Sequence, residues 1–96
     1  MKPEIGTKVY CIYQDSILIE NVEFLGAESF LIESFGCGTY EDSWEWYYED
    51  YETEWFTDSE KAKEELRSRV IERYDDENFD IIKVEDDYYE LDWREA

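Results

Sequence analysis

The chain has no histidine, one proline, four glycines and two cysteines in 96 residues, and only nine Lys plus Arg stand against 28 Asp plus Glu. Without His, the usual general base, the Ser-His and Cys-His nucleophile pairs and most zinc sites are absent. Cys11 and Cys37 are too few for a disulfide scaffold. Two thiols without His do not close a structural zinc site unless carboxylates or a second chain contribute. They read as free, partly buried thiols of a reducing compartment. No apolar run approaches the ~20 residues that span a bilayer. The opening MKPEIG has no apolar h-region, so no signal peptide is expected. The expected location is cytoplasmic.

The scarcity of cations is as informative. A formal net charge of −19 argues against a direct nucleic-acid partner, which needs a basic face for counterion release. The negative cytoplasmic leaflet would repel the chain as well. Such a charge raises the question of disorder, but four Trp, nine Tyr and five Phe supply the buried area that disordered chains lack. Residues 1–96 are expected to form a single domain with a modest core.

The charge is unevenly placed. From Val9 to Glu60 there are fourteen acidic residues and no Lys or Arg. From Lys61 to Arg73 five basic residues meet three acidic ones, and from Tyr74 to Ala96 ten acidic residues meet two basic ones. Soluble surfaces normally intersperse the two signs, and segregation costs stability through like-charge repulsion. The pattern therefore suggests a use for the field.

Element signals are regular. Val9–Tyr13, Ile17–Phe24, Ser29–Glu33, Trp44–Tyr48 and Glu54–Phe56 read as strands, being β-branched or aromatic and bounded by turn residues. Ile17, Ile19, Val22 and Phe24 are the expected inward positions of the second strand, with a bulge near Glu20–Asn21 where the parity slips. Gly36-Cys37-Gly38 is a flexible connection. Thr57 with Glu60 fits a capping box opening a helix over about 59–74. Ala62, Leu66, Val70 and Tyr74 form its apolar stripe. Phe79–Val84 reads as a further strand, and Tyr88–Trp93 as a strand or helical turn. The expected class is α+β: an antiparallel five- to six-stranded meander or small barrel-like sheet with one main amphipathic helix.

Chemical motifs are few. There is no GxSxG, P-loop or GxGxxG. Asp75-Asp76-Glu77-Asn78-Phe79-Asp80 lacks the central Gly and the alternation of a calcium loop. No metal, cofactor or catalytic residue is assigned, and no enzymatic activity is expected. A carboxylate hydrolase would need two convergent acids with raised pKa in a cleft.

The most distinctive segment is Tyr40–Phe56, which interleaves eight aromatic residues with seven acids. If Trp44, Trp46 and Tyr48 face a core, then Glu45, Tyr47 and Glu49 face outward. Carboxylates beside aromatic rings suit arginine, which pairs bidentately and stacks. The candidate partner-binding residues are Glu41, Asp42, Glu45, Glu49, Asp50, Glu52 and Glu54, with Tyr47 and Tyr51 for stacking. Asp75, Asp76 and Glu77 form a second patch. Same-face residues of one strand lie about 6.6 Å apart, twice the ~3.4 Å charge spacing of a DNA strand. Mimicry of a duplex thus requires several segments to converge.

Trp55-Phe56-Thr57-Asp58-Ser59-Glu60-Lys61-Ala62-Lys63-Glu64-Glu65-Leu66 resembles an element of small proteins from bacteria and their phages, in which a strand meander ends in aromatic-Phe-Thr and a helix follows. In size and charge the chain also resembles phage-encoded nucleic-acid mimics, including anti-CRISPR proteins. That resemblance is of class, and no motif residue is carried over from it. It implies a non-enzymatic inhibitor whose acidic face binds the basic nucleic-acid channel of a nuclease, such as a Cas effector. The alternative is a small structural or regulatory interaction module that uses an aromatic patch, with charge serving solubility.

Overall fold

The computed structural model describes residues 1–32 and 44–94. The elements in chain order are β1 (Lys8–Tyr13), β2 (Ser16–Leu25), β3 (Ser29–Ile32), β4 (Trp44–Tyr47), a 3₁₀ turn (Tyr48–Asp50), β5 (Trp55–Phe56), α1 (Ser59–Tyr74), β6 (Phe79–Val84) and β7 (Tyr88–Trp93). The class is α+β. Five strands form a curled antiparallel half-barrel in the order β4-β3-β2-β1-β5, and the β6–β7 hairpin joins it through β2. Glu33, Gly36, Cys37 and Gly38 lie outside the described residues.

The ten-residue β2 organises the sheet. One edge pairs with β1 over Ser16–Asn21. The other edge pairs first with β7, through Ile17 and Leu18, and then with β3 from Val22 onward. The register shifts between Val22 and Phe24, so the bulge lies at Glu23 and not at Glu20–Asn21. A bulge bends its strand, and here it separates the stretch that pairs with β7 from the stretch that pairs with β3.

Both faces of this strand are covered, and this corrects the expected inward set. Ile12, Ile17, Ile19 and Phe56 pack with Ala62, Leu66 and Val70 of α1 and with Phe79 and Tyr89 of the hairpin. Val9, Cys11, Leu18, Val22, Phe30, Ile32, Trp46 and Trp55 fill the concave side. Ile17, Leu18 and Ile19 are therefore all buried, where a one-sided strand would alternate. Phe24, expected inward, is 58% exposed, because the residue after the bulge points away from the concave cluster. Cys11 is buried and free. Burial, and secondarily the charge of Glu20, pushes its thiol far above the ordinary value, so it stays a thiol at neutral pH.

The helix begins one residue later than a Thr57 cap implies. Asp58 is the N-cap, and its carboxylate accepts the Glu60 N–H at 2.9 Å. The Thr57 hydroxyl instead meets the Tyr51 hydroxyl at 2.9 Å. At the other end Asp75 closes the helix in the left-handed region, with φ of 52°, and its N–H bonds to the Ile71 carbonyl. Sixteen residues at about 1.5 Å each make α1 about 24 Å long.

Candidate partner-binding surface

The helix sorts the charge. Its sixteen residues fall into four stripes at i, i+4 spacing. Ala62, Leu66 and Val70 are buried. On one flank, Lys63 lies 4.7 Å from the Tyr89 ring centroid and Arg67 lies 4.8 Å from that of Phe79, so these cations cover the hairpin aromatics. On the other flank, Lys61, Arg69 and Arg73 meet acids brought from the strands. Lys61 pairs with Glu52 at 3.6 Å, and Arg73 pairs with Asp15 in the β1–β2 turn.

Arg69 is the centre of this seam. Its Nη2 donates to Glu54 Oε1 at 2.8 Å and to the Thr53 carbonyl at 2.6 Å, and its Nε donates to Glu65 at 3.0 Å. Burial acts to lower the guanidinium pKa. The hydrogen bonds to Glu54 and Glu65 outweigh it and hold Arg69 above its ordinary value.

The fourth stripe, Glu60, Glu64, Ser68 and Glu72, is exposed. Four residues of helix rise about 6 Å, so these carboxylates form a spaced row that leads to Asp75, Asp76 and Glu77, all exposed. By count this segment is basic, yet its outermost stripe holds only acids and Ser68, with Lys63 reaching Glu60 from the side at 3.2 Å. Glu60, Glu64 and Glu72 were not among the sequence candidates. The signal was present as an acidic i, i+4 pattern opposite the apolar stripe, but the summed charge of the segment concealed it.

A second acidic group surrounds Tyr47 on β4. In the β3–β4 register Phe30 faces Trp46, Leu31 faces Glu45 and Ser29 faces Tyr47. Phe30 and Trp46 are buried, so Glu45 and Tyr47 point outward, as the strand alternation predicts. Glu45 accepts the Ser29 hydroxyl at 2.6 Å. A hydrogen bond from the Tyr47 phenol to the same carboxylate, then the negative charges of Glu45, Glu28 and Asp50, hold Tyr47 above the ordinary tyrosine value. Three chain segments thus place carboxylates around one half-exposed ring.

This arrangement makes a test of its own. The neutral phenol is the bonded form, so its contribution is present at neutral pH and is lost as pH rises through the elevated folded value. Tyr47 should ionise later than a free tyrosine. Glu45→Ala should bring it back toward the ordinary value in an NMR titration of ring-labelled tyrosine. An unchanged titration would show that Glu45 does not accept from the Tyr47 phenol.

The sequence candidates therefore divide. Glu45, Tyr47 and Glu49 are exposed and Asp50 is partly so. Asp75, Asp76 and Glu77 are exposed at the far end of α1. Glu52 and Glu54 are held by Lys61 and Arg69. Tyr51 is half-buried with its ring 4.8 Å from that of Trp55, which makes it a packing residue. Glu41 and Asp42 lie outside the described residues. Tyr51 bonds Thr57 beside the helix start and Asp75 caps the helix end. The Tyr47 group and the Asp75–Glu77 turn thus belong to opposite ends of α1, with the row of Glu60, Glu64 and Glu72 along its outer face between those ends.

Among the described residues no group of three or more potential metal ligands converges, and no helix is long and apolar enough to cross a membrane. Comparison with known proteins found no matching family model, no matching curated protein and no matching solved structure.

Proposed function

We propose that this chain is a non-enzymatic inhibitor whose acidic surface occupies the basic nucleic-acid channel of a nuclease, a Cas effector being the first class to try. One observation carries the reading. The helix cations are turned onto acids and rings of the chain's own fold, while the outer row of α1, the turn at Asp75–Glu77 and the Tyr47 group face solvent. A sheet and helix that pair their cations with the fold's own acids and rings, and display the negative surplus, attract a basic protein surface.

The row is sparser than a phosphate strand, about 6 Å from Glu60 to Glu64 and about 12 Å from Glu64 to Glu72 across Ser68, against ~3.4 Å between charges along one strand. It supports electrostatic competition with nucleic acid more than a base-by-base imitation.

The test is displacement of labelled guide RNA or target DNA from purified Cas nucleases, at about 50 and about 500 mM salt. Displacement should be strong at low salt and should fall at least tenfold at high salt, since exposed charges are screened beyond a Debye length of roughly 10 Å at 0.1 M. Reversing Glu49, Asp50, Glu64 and Glu72 to Lys should abolish it with the circular dichroism spectrum intact. Glu52 and Glu54 are left alone, because their reversal would break the fold's own ion pairs. Salt-independent displacement, or displacement that survives the reversal, would refute the charge mechanism.

A second reading is an interaction module that uses an aromatic patch. The observation in its favour is the exposure of Phe24 and Tyr47, 58% and 45%, on the outward side of β2–β4.

A further inference from the structure

The outward face of β2, β3 and β4 continues the face that α1 covers elsewhere. Ile17 and Ile19 of β2 point to the helix. Beyond the bulge, Phe24 points to that same side, opposite Leu31, which in turn lies opposite Glu45. Adjacent strands lie about 4.8 Å apart, so Phe24, Leu31 and Glu45 form one row across three strands. Tyr47 stands two residues along β4. The helix packs on β1, β2 and β5. Over β2 beyond its bulge, β3 and β4, the same layer presents a large exposed Phe, a half-buried Leu and a half-exposed Tyr.

Large exposed apolar side chains collected on one sheet face mark interaction sites more often than isolated ones do. The natural cover for a sheet face is a helix. Glu45 stands in the row itself, the Glu28 carbonyl accepts the Tyr48 N–H at 3.0 Å beside Tyr47, and Asp50 follows in the 3₁₀ turn, so a cover must carry positive charge at its border. Lysine would satisfy the charge alone. Arginine would also stack on Tyr47 and fork onto the Glu45 carboxylate, which Ser29 already orients.

We infer that the outward face of β2–β4, centred on Phe24, Leu31 and Tyr47, docks an amphipathic helix of a protein partner whose apolar stripe is flanked by arginines. The inference rests on the reading of a basic protein partner and names the segment by which that partner is held. The outer row of α1 would then act at longer range, steering the encounter, while the sheet face supplies the contact.

The test uses two helical peptides of about 18 residues against the full chain labelled with ¹⁵N. The first has a Leu stripe flanked by Arg. The second keeps every Arg and replaces the Leu residues with Ser. For the first peptide, amide shifts should concentrate at residues 24, 31, 45 and 47. Phe24→Ser should weaken it about tenfold, in line with the loss of one buried aromatic contact, and should leave the second peptide's affinity unchanged. Phe24 is exposed, so this variant should retain its fold, as a circular dichroism melt would show. Replacing Arg by Lys in the first peptide should weaken it severalfold.

If both peptides bind equally and shift only the outer row of α1, the docking face is wrong and the charge reading stands. If neither peptide binds at low salt, the docking inference and the basic-partner reading both fall. An undiminished first-peptide affinity in Phe24→Ser would likewise overturn the docking face.

Discussion

Trp55→Ala should cost about 3–5 kcal/mol and lower the melting temperature by more than roughly 12 °C, taking about 4–8 °C per kcal/mol for a domain of this size. Trp55 is fully buried in the concave cluster. Its ring stands edge-on to Phe30 at 4.8 Å and tilted to Tyr51 at 4.8 Å. Its indole N–H donates to the Tyr47 carbonyl at 2.7 Å. The truncation leaves a large cavity between strands that are distant in sequence, and it leaves that carbonyl without its donor. Typical small domains hold only about 5–15 kcal/mol in total, and self-repulsion in a chain of −19 reduces that margin. Urea unfolding followed by far-UV circular dichroism measures the cost. Trp55→Phe should lose less, about 1–2 kcal/mol, because it keeps most of the packing and forfeits mainly the hydrogen bond. A cost below about 1 kcal/mol for the alanine variant would mean that the half-barrel closes without this residue, contrary to the packing.

The second large effect is electrostatic. Arg69→Glu should destabilise the fold by about 2–4 kcal/mol, and Arg69→Ala by about 1–3 kcal/mol. Exposed ion pairs contribute little, but this guanidinium serves two carboxylates and a backbone carbonyl at once, and its side chain is only 28% exposed. Removing it leaves Glu54 and Glu65 facing each other across the seam. Placing a third carboxylate there adds direct repulsion. Arg69→Lys should recover only part of the loss, since an ammonium cannot fork onto Glu54 and reach Glu65 and Thr53 together. Melts at about 50 and about 500 mM salt supply the signature. The deficit of Arg69→Glu should shrink as salt screens the repulsion, whereas that of Trp55→Ala should not. Equal deficits for the two Arg69 variants at low salt would show that packing, not charge, sets the role of this side chain.

The same seam explains why total charge is a poor guide to this surface. Count alone makes the segment Lys61–Arg73 the basic part of the molecule. In the folded chain Lys61, Arg69 and Arg73 lie against Glu52, Glu54 and Asp15, and Lys63 and Arg67 lie over rings. Lys61 and Arg73 reach solvent only as ion pairs, while Glu60, which Lys63 meets at 3.2 Å, Glu64 and Glu72 line the outermost stripe. Internal neutralisation of cations and external display of acids are two results of one helix orientation, which the buried stripe of Ala62, Leu66 and Val70 sets.

Much of the architecture was legible in the chain itself, since local periodicity encodes it. The helix spans Ser59–Tyr74 and the sixth strand Phe79–Val84, both as their spacing predicts. Apolar residues four apart and alternating β-branched residues each admit one local conformation that buries them. The alternation in β4 likewise told Glu45 and Tyr47 from Trp46. Three things required the tertiary structure. Asp15 and Arg73 are 58 residues apart, and only the topology brings that turn to the helix end. A period of two shows that a strand has two faces, but the cover on each is decided by distant elements, and so Leu18 is buried with Ile17 and Ile19 while Phe24 is exposed. Finally, charges add along a sequence without direction, whereas a partner meets them with direction. The residues, read alone, determined a folded α+β domain with a large negative surplus. Only the packing of α1 decided which carboxylates meet Lys61, Arg69 and Arg73 and which line its outer face.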